Sequence, residues 1–307
     1  MIFKDLKQKY LKKNITKANY IKSAYLNFHY VLKEYSENLN RTNVEKITII
    51  ENTLIFTIRD SGILIKPIES DHRSVPFEMI NFEDYEKKEM DITLSLFKDG
   101  QNFFDIGSNI GWYSLNIAKF FPNSNIFAFE PMSKPFKYLN ENIELNNFKN
   151  IKTFNYGLSD NRTLETFYYY PEGTGNASLK NLQNKSKIEK NKKMVFKLDD
   201  VVKKYNLGVD FIKCDVEGAE IKVLLGGIET IKKYKPILFL EILRKWTKKF
   251  NYDSNEIIEL LNNLGYSCYV IRNNKLKKLY KINSKTVDTN FFFLNNYKHE
   301  SLIKKYS

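Results

Sequence analysis

Apolar runs of strand length alternate with helix-like segments over most of the chain from residue 102 onward. The runs are NFFDI (102–106), IFAFE (126–130), IKTFNYGL (151–158), VDFIKCDV (209–216) and PILFLEI (236–242). The helix-like segments are 112–121, 133–147, 219–233 and 253–264. This alternation is typical of βαβ units, so we predict a parallel sheet. Two later runs, YSCYVI (266–271) and NFFFL (290–294), have no helical pattern between them and are predicted to form an antiparallel pair.

The first part of the chain follows a different pattern. Residues 1–40 combine Lys, Tyr, Leu and Ile at helical spacing and contain no glycine. The runs KITII, TLIFTI and GILIKPI then predict a small antiparallel meander, and EDYEKKEMDITLSLFKDG predicts a helix that ends at Gly100. We therefore predict an extension over residues 1–77, made of helix and a small β-meander, in front of a second domain over 78–307.

An insertion interrupts the alternation at residues 161–198. Strand-like ends flank a middle that is rich in Gly, Asn and Lys, which predicts an added hairpin. A long polar loop in an α/β domain is often an active-site lid, whereas a lysine-rich excursion is often disordered. Both interpretations of its middle stay open.

Composition narrows the class of protein. The formal net charge is +13, which attracts nucleic acid, anionic membrane or acidic substrates, although a solvated lysine-rich surface explains it equally. Only Cys214 and Cys268 are present, so a disulfide framework and a cysteine-ligated zinc site are not expected. There is no apolar segment of signal-peptide or transmembrane length. We predict a soluble cytoplasmic protein.

The segment 105–130 carries the candidate chemistry. An apolar strand ends in Asp105 and leads into a loop with Gly107 and Gly111, and the next strand ends in Glu130. An acid about 20 residues after a glycine-rich turn is the usual partner of a ribose diol. The chain lacks both G-x-G-x-x-G and a P-loop lysine motif, which disfavours dinucleotides and nucleoside triphosphates. A nucleoside that carries an amino acid, S-adenosylmethionine, fits better.

At these residues the sequence resembles the FkbM-type S-adenosylmethionine-dependent methyltransferases. The resemblance rests on FFDIGSNIGWYSL, FAFEP, NYGLSD, FKLDD, VDFIKCDVEGAEIKVLLGG and KPILFLEI, and it covers roughly residues 78–295. It implies an α/β class I methyltransferase (Rossmann-like) fold, with a seven-stranded mostly parallel sheet, an antiparallel last strand and helices on both faces. It also implies O-methylation of a sugar, glycan or other small hydroxylated metabolite.

The resemblance assigns roles to individual residues. Asp105, Gly107, Asn109 and Gly111 match the loop that contacts the methionine part of the cofactor. Glu130 matches the ribose-binding acid, and Ser159 and Asp160 match the loop that meets the adenine. Asp215 and Glu217 match the acids that border the reacting centre.

Methyl transfer to a hydroxyl needs an aligned acceptor and is helped by a base. Asp215 is the first candidate base because its strand position directs it to the cleft, and Glu217 is the second. Glu241 ends the neighbouring strand and is a candidate for acceptor contact, as are Asn176 and Ser178 in the inserted hairpin. Clustered carboxylates could also bind Mg²⁺, and the sequence does not separate a base from a metal ligand, so no metal site is predicted.

Three functions from different classes remain open. The first is the O-methyltransferase that the resemblance implies. The second is a nucleic-acid methyltransferase, against which stands the absence of a D/N-P-P-Y/F segment that would grip an extruded base. The third is a protein that binds S-adenosylmethionine without catalysis. The partners expected for the first are a small-molecule or glycan acceptor, which the net charge suggests is anionic, with homodimerisation or peripheral membrane contact through residues 1–77 as further options.

Overall fold

A computed structural model describes residues 3–170, 177–182 and 188–307 of the chain. Its strands are β1 Val44–Ile50, β2 Thr53–Ile58, β3 Leu64–Ile65, β4 Asn102–Ile106, β5 Asn125–Phe129, β6 Ile151–Phe154, β7 Gly157–Leu158, β8 Thr163–Tyr169, β9 Glu189–Phe196, β10 Phe211–Cys214, β11 Ile237–Glu241, β12 Tyr266–Arg272, β13 Lys275–Leu279 and β14 Asn290–Asn295. Its α-helices are α1 Phe3–Leu11, α2 Lys17–Ala24, α3 Tyr30–Leu39, α4 Val75–Phe82, α5 Lys87–Leu96, α6 Trp112–Phe120, α7 Ser133–Leu145, α8 Leu198–Tyr205, α9 Glu220–Gly226, α10 Ile228–Tyr234, α11 Arg244–Thr247, α12 Ser254–Asn263 and α13 Glu300–Tyr306. A π-helical turn at Tyr25–His29 joins α2 to α3, and a 3₁₀ turn at Lys248–Phe250 follows α11.

The largest sheet has the strand order β13-β12-β14-β11-β10-β4-β5-β6. Strands β4, β5, β6, β10 and β11 pair in parallel, whereas β14 is antiparallel to both β11 and β12. This confirms the predicted Rossmann-like sheet with an antiparallel last strand. The sheet has one edge strand more than the predicted seven, because Asn273 and Asn274 take left-handed conformations and turn the chain back as β13.

Alternating phenylalanines give the sheet two apolar faces. Phe103 packs with residues of α5, α6 and α7, whereas Phe104, the next residue, packs with residues of α8, α9 and α12. Successive side chains of a strand point to opposite faces, so each strand contributes to both layers of the core. The outcome is a sheet covered by helices on both sides, as predicted.

The extension forms the predicted helices and a three-stranded antiparallel meander, β1-β2-β3. The helix predicted over EDYEKKEMDITLSLFKDG is α5, which is shorter than predicted, and a separate helix, α4, precedes that segment. Glu83 and Glu86 both have positive φ angles, of 73° and 46°, and this backbone reversal separates the helices.

Side-chain amides of α7 join the meander to the large sheet. Asn142 accepts a hydrogen bond from the Lys66 N–H at 2.7 Å and donates to the carbonyls of Lys66 and Ile110 at 3.3 and 3.0 Å. Asn146 pairs in the same way with both backbone groups of Leu64. The unpaired edge of β3 is thereby satisfied by side chains rather than by another strand.

The insertion contains the predicted hairpin, with β8 and β9 antiparallel. The predicted strand over 151–158 is wrong, since β6 ends at Phe154 and β7 leaves the large sheet to pair with β9. Residues 177–182 return along the hairpin, where the backbones of Tyr168 and Ser178 exchange two hydrogen bonds.

The Asn142 contacts predict a stability effect. Asn142→Ala removes three hydrogen bonds of a fully buried side chain and leaves the backbone of Lys66 unpaired. We expect the free energy of unfolding to fall by about 2–4 kcal/mol, measured by urea denaturation. The control is Lys137→Ala, an exposed position on the same helix. An equal effect of both variants would contradict this role of Asn142.

Candidate active site

A cleft opens at the carboxyl ends of β4, β5, β10 and β11. The chain leaves β4 towards β5 on one side of the sheet and leaves β10 towards β11 on the other, which makes this the point where the strand order changes direction. Ligands of open α/β sheets bind at such a point. Of the residues predicted from sequence, Gly107, Asn109, Glu130, Asp215, Glu217 and Glu241 line this one cleft.

The loop after β4 is shaped by close backbone contacts. Gly107 has a φ of 80°, and a Cβ atom there would lie 1.8 Å from the backbone oxygen of Asp215. At Gly111, with a φ of 99°, a Cβ atom would lie 2.7 Å from Leu139. Glycine at 107 is therefore required by the neighbouring protein loop, and this contact fixes the β4 loop against the β10 loop.

Asp105 lies behind that loop and is not part of the cleft wall. Its side chain is 1% exposed, and one carboxylate oxygen accepts from the N–H and hydroxyl of Ser114 at 3.1 and 2.6 Å. Its other oxygen lies 3.7 Å from the Lys213 ammonium. Burial raises the pKa of Asp105, while Lys213 and Ser114 oppose that shift. The acid at the end of β4 thus anchors α6 and pairs with β10.

Lys213 is a functional residue that the sequence analysis missed. It stands directly opposite Asp105 in the β4–β10 pairing, and its ammonium donates to the Gly107 carbonyl at 3.1 Å. The ammonium also lies 3.5 Å from Asp215. Burial opposes its charge, yet the surrounding carboxylates of Asp215 and Asp105 raise the pKa of Lys213. A lysine within the apolar run FIKC, on the same face as Asp105, was the available signal.

Glu130 organises the other end of the cleft. Its two oxygens accept from the backbone N–H groups of Asn109 and Met132, at 3.0 and 2.8 Å. Burial raises the pKa of Glu130 to about 7, against the effect of these hydrogen bonds. Nearby, the Ser108 hydroxyl and the Asn109 side-chain oxygen are buried without a hydrogen-bond partner. Such groups are rarely left unpaired, so this end of the cleft suits a polar ligand.

The predicted adenine residues lie beside the cleft. Ser159 is fully buried, and its hydroxyl donates to the Asp160 carboxylate at 3.0 Å, but neither residue is part of the wall. The wall here is apolar and consists of Phe129, Leu158 and Phe167. These side chains offer a surface on which a flat ring could pack. A contact of Ser159 or Asp160 with adenine stays a prediction.

Three carboxylates meet at the ends of β10 and β11. Asp215, Glu217 and Glu241 each offer an oxygen within 4.8 Å of the others. Burial, and then the charge of Asp215, raises the pKa of both Glu217 and Glu241 well above the ordinary value. Like charges at this distance favour protonated carboxyls, so the two glutamates tend to be neutral beside Asp215.

A buried network holds the loop that carries Glu217. One oxygen of Glu220 accepts from the N–H groups of Val216 and Gly218, at 3.2 and 3.0 Å. Ser178 is 1% exposed and donates its hydroxyl to the Glu217 carbonyl at 2.8 Å, so it supports this loop from outside the wall. Its partner in the acceptor prediction, Asn176, lies outside the described residues. Direct acceptor contact by Ser178 stays a prediction.

Glu86, between α4 and α5, is a second residue that the sequence analysis missed. Glu86 lines the cleft and accepts a hydrogen bond from the Tyr113 hydroxyl at 2.7 Å. Burial raises the pKa of Glu86 to about 7, although Tyr113 and Lys213 lower it. No motif marks this position in the sequence, because its role depends on how the break between α4 and α5 packs against α6.

A family model described as "Methyltransferase FkbM domain" matches residues 105–268, just over half of the chain. The chain belongs to the FkbM methyltransferase family. The match contains Asp105, Lys213 and most of the residues that line the cleft. The lining residues that precede it are Arg73, Val75, Glu78, Tyr85 and Glu86.

Two fungal proteins illustrate the similarity of this FkbM protein to known sequences. "Methyltransferase 1" of Beauveria bassiana is 30% identical over 148 residues, which are 42% of this chain and 59% of that protein. "Methyltransferase sdnD" of Sordaria araneosa is 30% identical over 151 residues, 40% of this chain and 58% of that protein. The chain thus spans less than two thirds of the curated relatives it matches.

Among solved structures, methyltransferase FkbM from Methylobacillus flagellatus is similar over 64% of this chain and 44% of that one. The identity is 17% and the TM-score is 0.42. In the described part of this FkbM protein, no helix is both long and apolar enough to cross a membrane.

The contact between the β4 and β10 loops predicts that alanine destabilises the protein more at position 107 than at position 100. Gly107→Ala combines a left-handed backbone with a clash against Asp215, so we expect a loss of at least about 3 kcal/mol in the free energy of unfolding. Gly100→Ala is the control, since Gly100 has a similar φ of 83° and nothing within 4 Å of its added Cβ atom. It should cost only about 1–2 kcal/mol. Equal losses in urea denaturation would show that the loops do not depend on this contact.

Glu86 predicts a pH dependence of stability. Its pKa is about 7 in the folded protein against an ordinary 4.5, so between these values only the unfolded chain releases the proton. Rising pH therefore destabilises the wild type, and Glu86→Gln, which can still accept from Tyr113, escapes this loss. We expect the free energy of unfolding of the variant, relative to that of the wild type, to rise by about 2 kcal/mol as the pH is raised from 4.5 to 7.

The measurement is urea denaturation at several pH values. Glu259→Gln, at an exposed position of α12, is the control and should follow the wild type at every pH. A Glu86→Gln variant whose stability difference from the wild type is constant with pH would overturn this account of Glu86.

Proposed function

We propose that this FkbM protein transfers a methyl group from S-adenosylmethionine to a hydroxyl oxygen of a sugar, glycan or other small metabolite. The observation that carries the proposal is one continuous cleft with two chemically different ends. One end combines Glu130 with the loop 107–110, and the other combines Asp215, Glu217 and Glu241. The family membership supports methyl transfer as the reaction type.

The first end fits a nucleoside that carries an amino acid. Glu130 has carboxylate lone pairs left to accept from a ribose diol, since each oxygen accepts only one backbone hydrogen bond. Phe129, Leu158 and Phe167 provide an apolar wall for the base. The unpaired Ser108 hydroxyl would hydrogen-bond the methionine part, next to Gly107 and Asn109. Asp105 and Gly111 would act from behind, by holding the loop in place.

The second end is suited to remove a proton. The bound cofactor would supply a methyl group on a positively charged sulfur. Asp215 would accept the proton of the acceptor hydroxyl while the hydroxyl oxygen bonds to the methyl carbon, the carbon–sulfur bond breaks and the neutral thioether leaves. The Lys213 ammonium at 3.5 Å would hold the Asp215 carboxylate in position. Glu217 and Glu241, with raised pKa values, would keep their protons and donate hydrogen bonds to the acceptor.

The charge of the cleft also bears on the acceptor. Glu86, Asp215, Glu217 and Glu241 face a cleft to which Lys213 contributes a single buried ammonium. The Asp215 carboxylate would repel an anionic acceptor at close range, and protonated Glu217 and Glu241 would offer the acceptor hydrogen bonds without a positive charge of their own. A neutral polyol is therefore a better acceptor than the anionic one that the net charge of +13 suggests.

Calorimetric titration of S-adenosylmethionine tests the cofactor. Glu130→Ala should weaken binding by about 1.5–3 kcal/mol, roughly ten- to a hundred-fold, because a charged hydrogen-bonding partner is lost. Glu189→Ala, at an exposed position of β9, is the control and should bind like the wild type. Thermal unfolding of each variant shows whether it is folded. No binding by folded wild type would overturn the proposal.

The second stage measures methyl transfer to a panel of neutral sugars and glycans by mass spectrometry. Asp215→Asn should keep cofactor affinity but lose about 10²–10⁴-fold in rate, since the amide cannot accept the proton. Cofactor binding with unchanged turnover in Asp215→Asn would remove Asp215 as the base. Cofactor binding without transfer to any hydroxyl acceptor would favour a protein that only binds S-adenosylmethionine.

A further inference from the structure

The three helices α1–α3 form a substructure that we call the helical arm, residues 3–39. It has a small core of its own, with Leu6 and Ala24 only 2% and 5% exposed. The ring of Phe3 packs on that of Phe28, and Tyr10 stacks on Tyr20, both with centroids 4.9 Å apart. The arm thus supports its own shape through contacts of α1 with α2 and with the π-helical turn.

The arm is joined to the rest of the protein at the end of α3. The Asn38 side chain donates to the Ile80 carbonyl at 3.1 Å, and the Leu39 carbonyl accepts from Arg59 at 3.0 Å. Leu39 also packs on the core that contains Phe56 and Met79. The attachment leaves the outer surface of the arm accessible.

That outer surface is unusually apolar for a solvated helix. Leu11, Ile21, Leu26 and Leu32 are between 55% and 66% exposed. Of the twenty large hydrophobic side chains that are exposed in the described chain, nine belong to the arm. A concentration of solvent-exposed apolar side chains indicates a surface that contacts another protein or a membrane.

The arm is also strongly basic. Residues 3–24 contain seven lysines and one acid, Asp5, which gives a net charge of +6 out of +13 for the whole chain. All seven lysines are exposed, and within the described residues none of them forms a salt bridge. The seven are Lys4, Lys7, Lys9, Lys12, Lys13, Lys17 and Lys22.

We propose that the helical arm docks on an anionic lipid bilayer. Exposed leucines and aromatic rings beside lysines are the composition of helices that lie in the headgroup region, where apolar tips enter the acyl boundary and ammonium groups meet phosphates. A second copy of this chain is the less suitable occupant. A symmetric contact through the arm would bring together two arms that each carry a net charge of +5, and like charges repel.

Vesicle co-sedimentation of the full chain tests the proposal. The protein should sediment with vesicles of phosphatidylcholine and phosphatidylglycerol, remain in solution with phosphatidylcholine alone, and be released by high salt. Two double variants probe the arm: Leu11→Ser with Ile21→Ser, and Lys7→Glu with Lys17→Glu. Each should bind anionic vesicles at least about tenfold more weakly than the wild type. All four positions are exposed, so neither variant should disturb the fold.

Matched controls change the same chemistry elsewhere. Val287→Ser with Tyr297→Ser removes two side chains that are each 85% exposed, and Lys275→Glu with Lys277→Glu reverses two exposed charges on β13. Both controls should bind like the wild type. Sedimentation that does not depend on anionic lipid, or arm variants that bind as well as the controls, would overturn the proposal. So would a concentration-dependent dimer in light scattering that Leu11→Ser with Ile21→Ser abolishes, which would identify a second copy as the occupant.

Discussion

The pairing of Lys213 with Asp105 and Asp215 is the interaction on which the cleft depends. One buried ammonium bridges the ends of β4 and β10 and donates to the Gly107 carbonyl, and Glu86, Glu217 and Glu241 add three further carboxyl groups to the same cleft. A single positive charge cannot neutralise all of them, and an unpaired buried carboxylate is costly. Burial first, and then the charge of Asp215, raises the pKa values of Glu86, Glu217 and Glu241.

Backbone geometry also holds the β4 and β10 loops together, independently of the charges. The oxygen of Asp215 occupies the space that a side chain at 107 would need, so the two loops can approach only with glycine there. Asn109 and Glu217 both line the cleft in left-handed conformations, with φ angles of 47° and 54°. Such conformations persist only where surrounding contacts enforce them, and here Glu130 and Glu220 do so through backbone hydrogen bonds. The cleft is therefore built before any ligand enters.

The sheet and the position of the cleft were predictable because both depend on patterns of residues that are close together in the sequence. Strand and helix periodicity located the sheet, and a strand that ends in Asp105 before two glycines located the cleft. Lys213 and Glu86 were missed since each depends on a partner about 30 or more residues away, Tyr113 for Glu86 and Asp105 for Lys213. Strand β13 was not predicted because its sequence, KLKKL, is rich in lysine and lacks the regular alternation of apolar and polar residues that indicates a strand. Ser159, assigned to the cofactor from its place in GLSD, is buried directly after β7, and its contact with adenine stays a prediction.

The distribution of charge shows why the net charge of the whole chain is a poor guide to the charge of one site. The chain carries +13, and nearly half of that net charge comes from residues 3–24, whereas the cleft contains an excess of acids. Exposed lysines attract a large anionic surface through water. Salt screens that attraction at distances beyond about 10 Å. Groups inside the cleft act at contact distance with little screening. The net charge of the chain therefore describes its outer surface rather than its cleft, and the partner of each has to be inferred from its own residues.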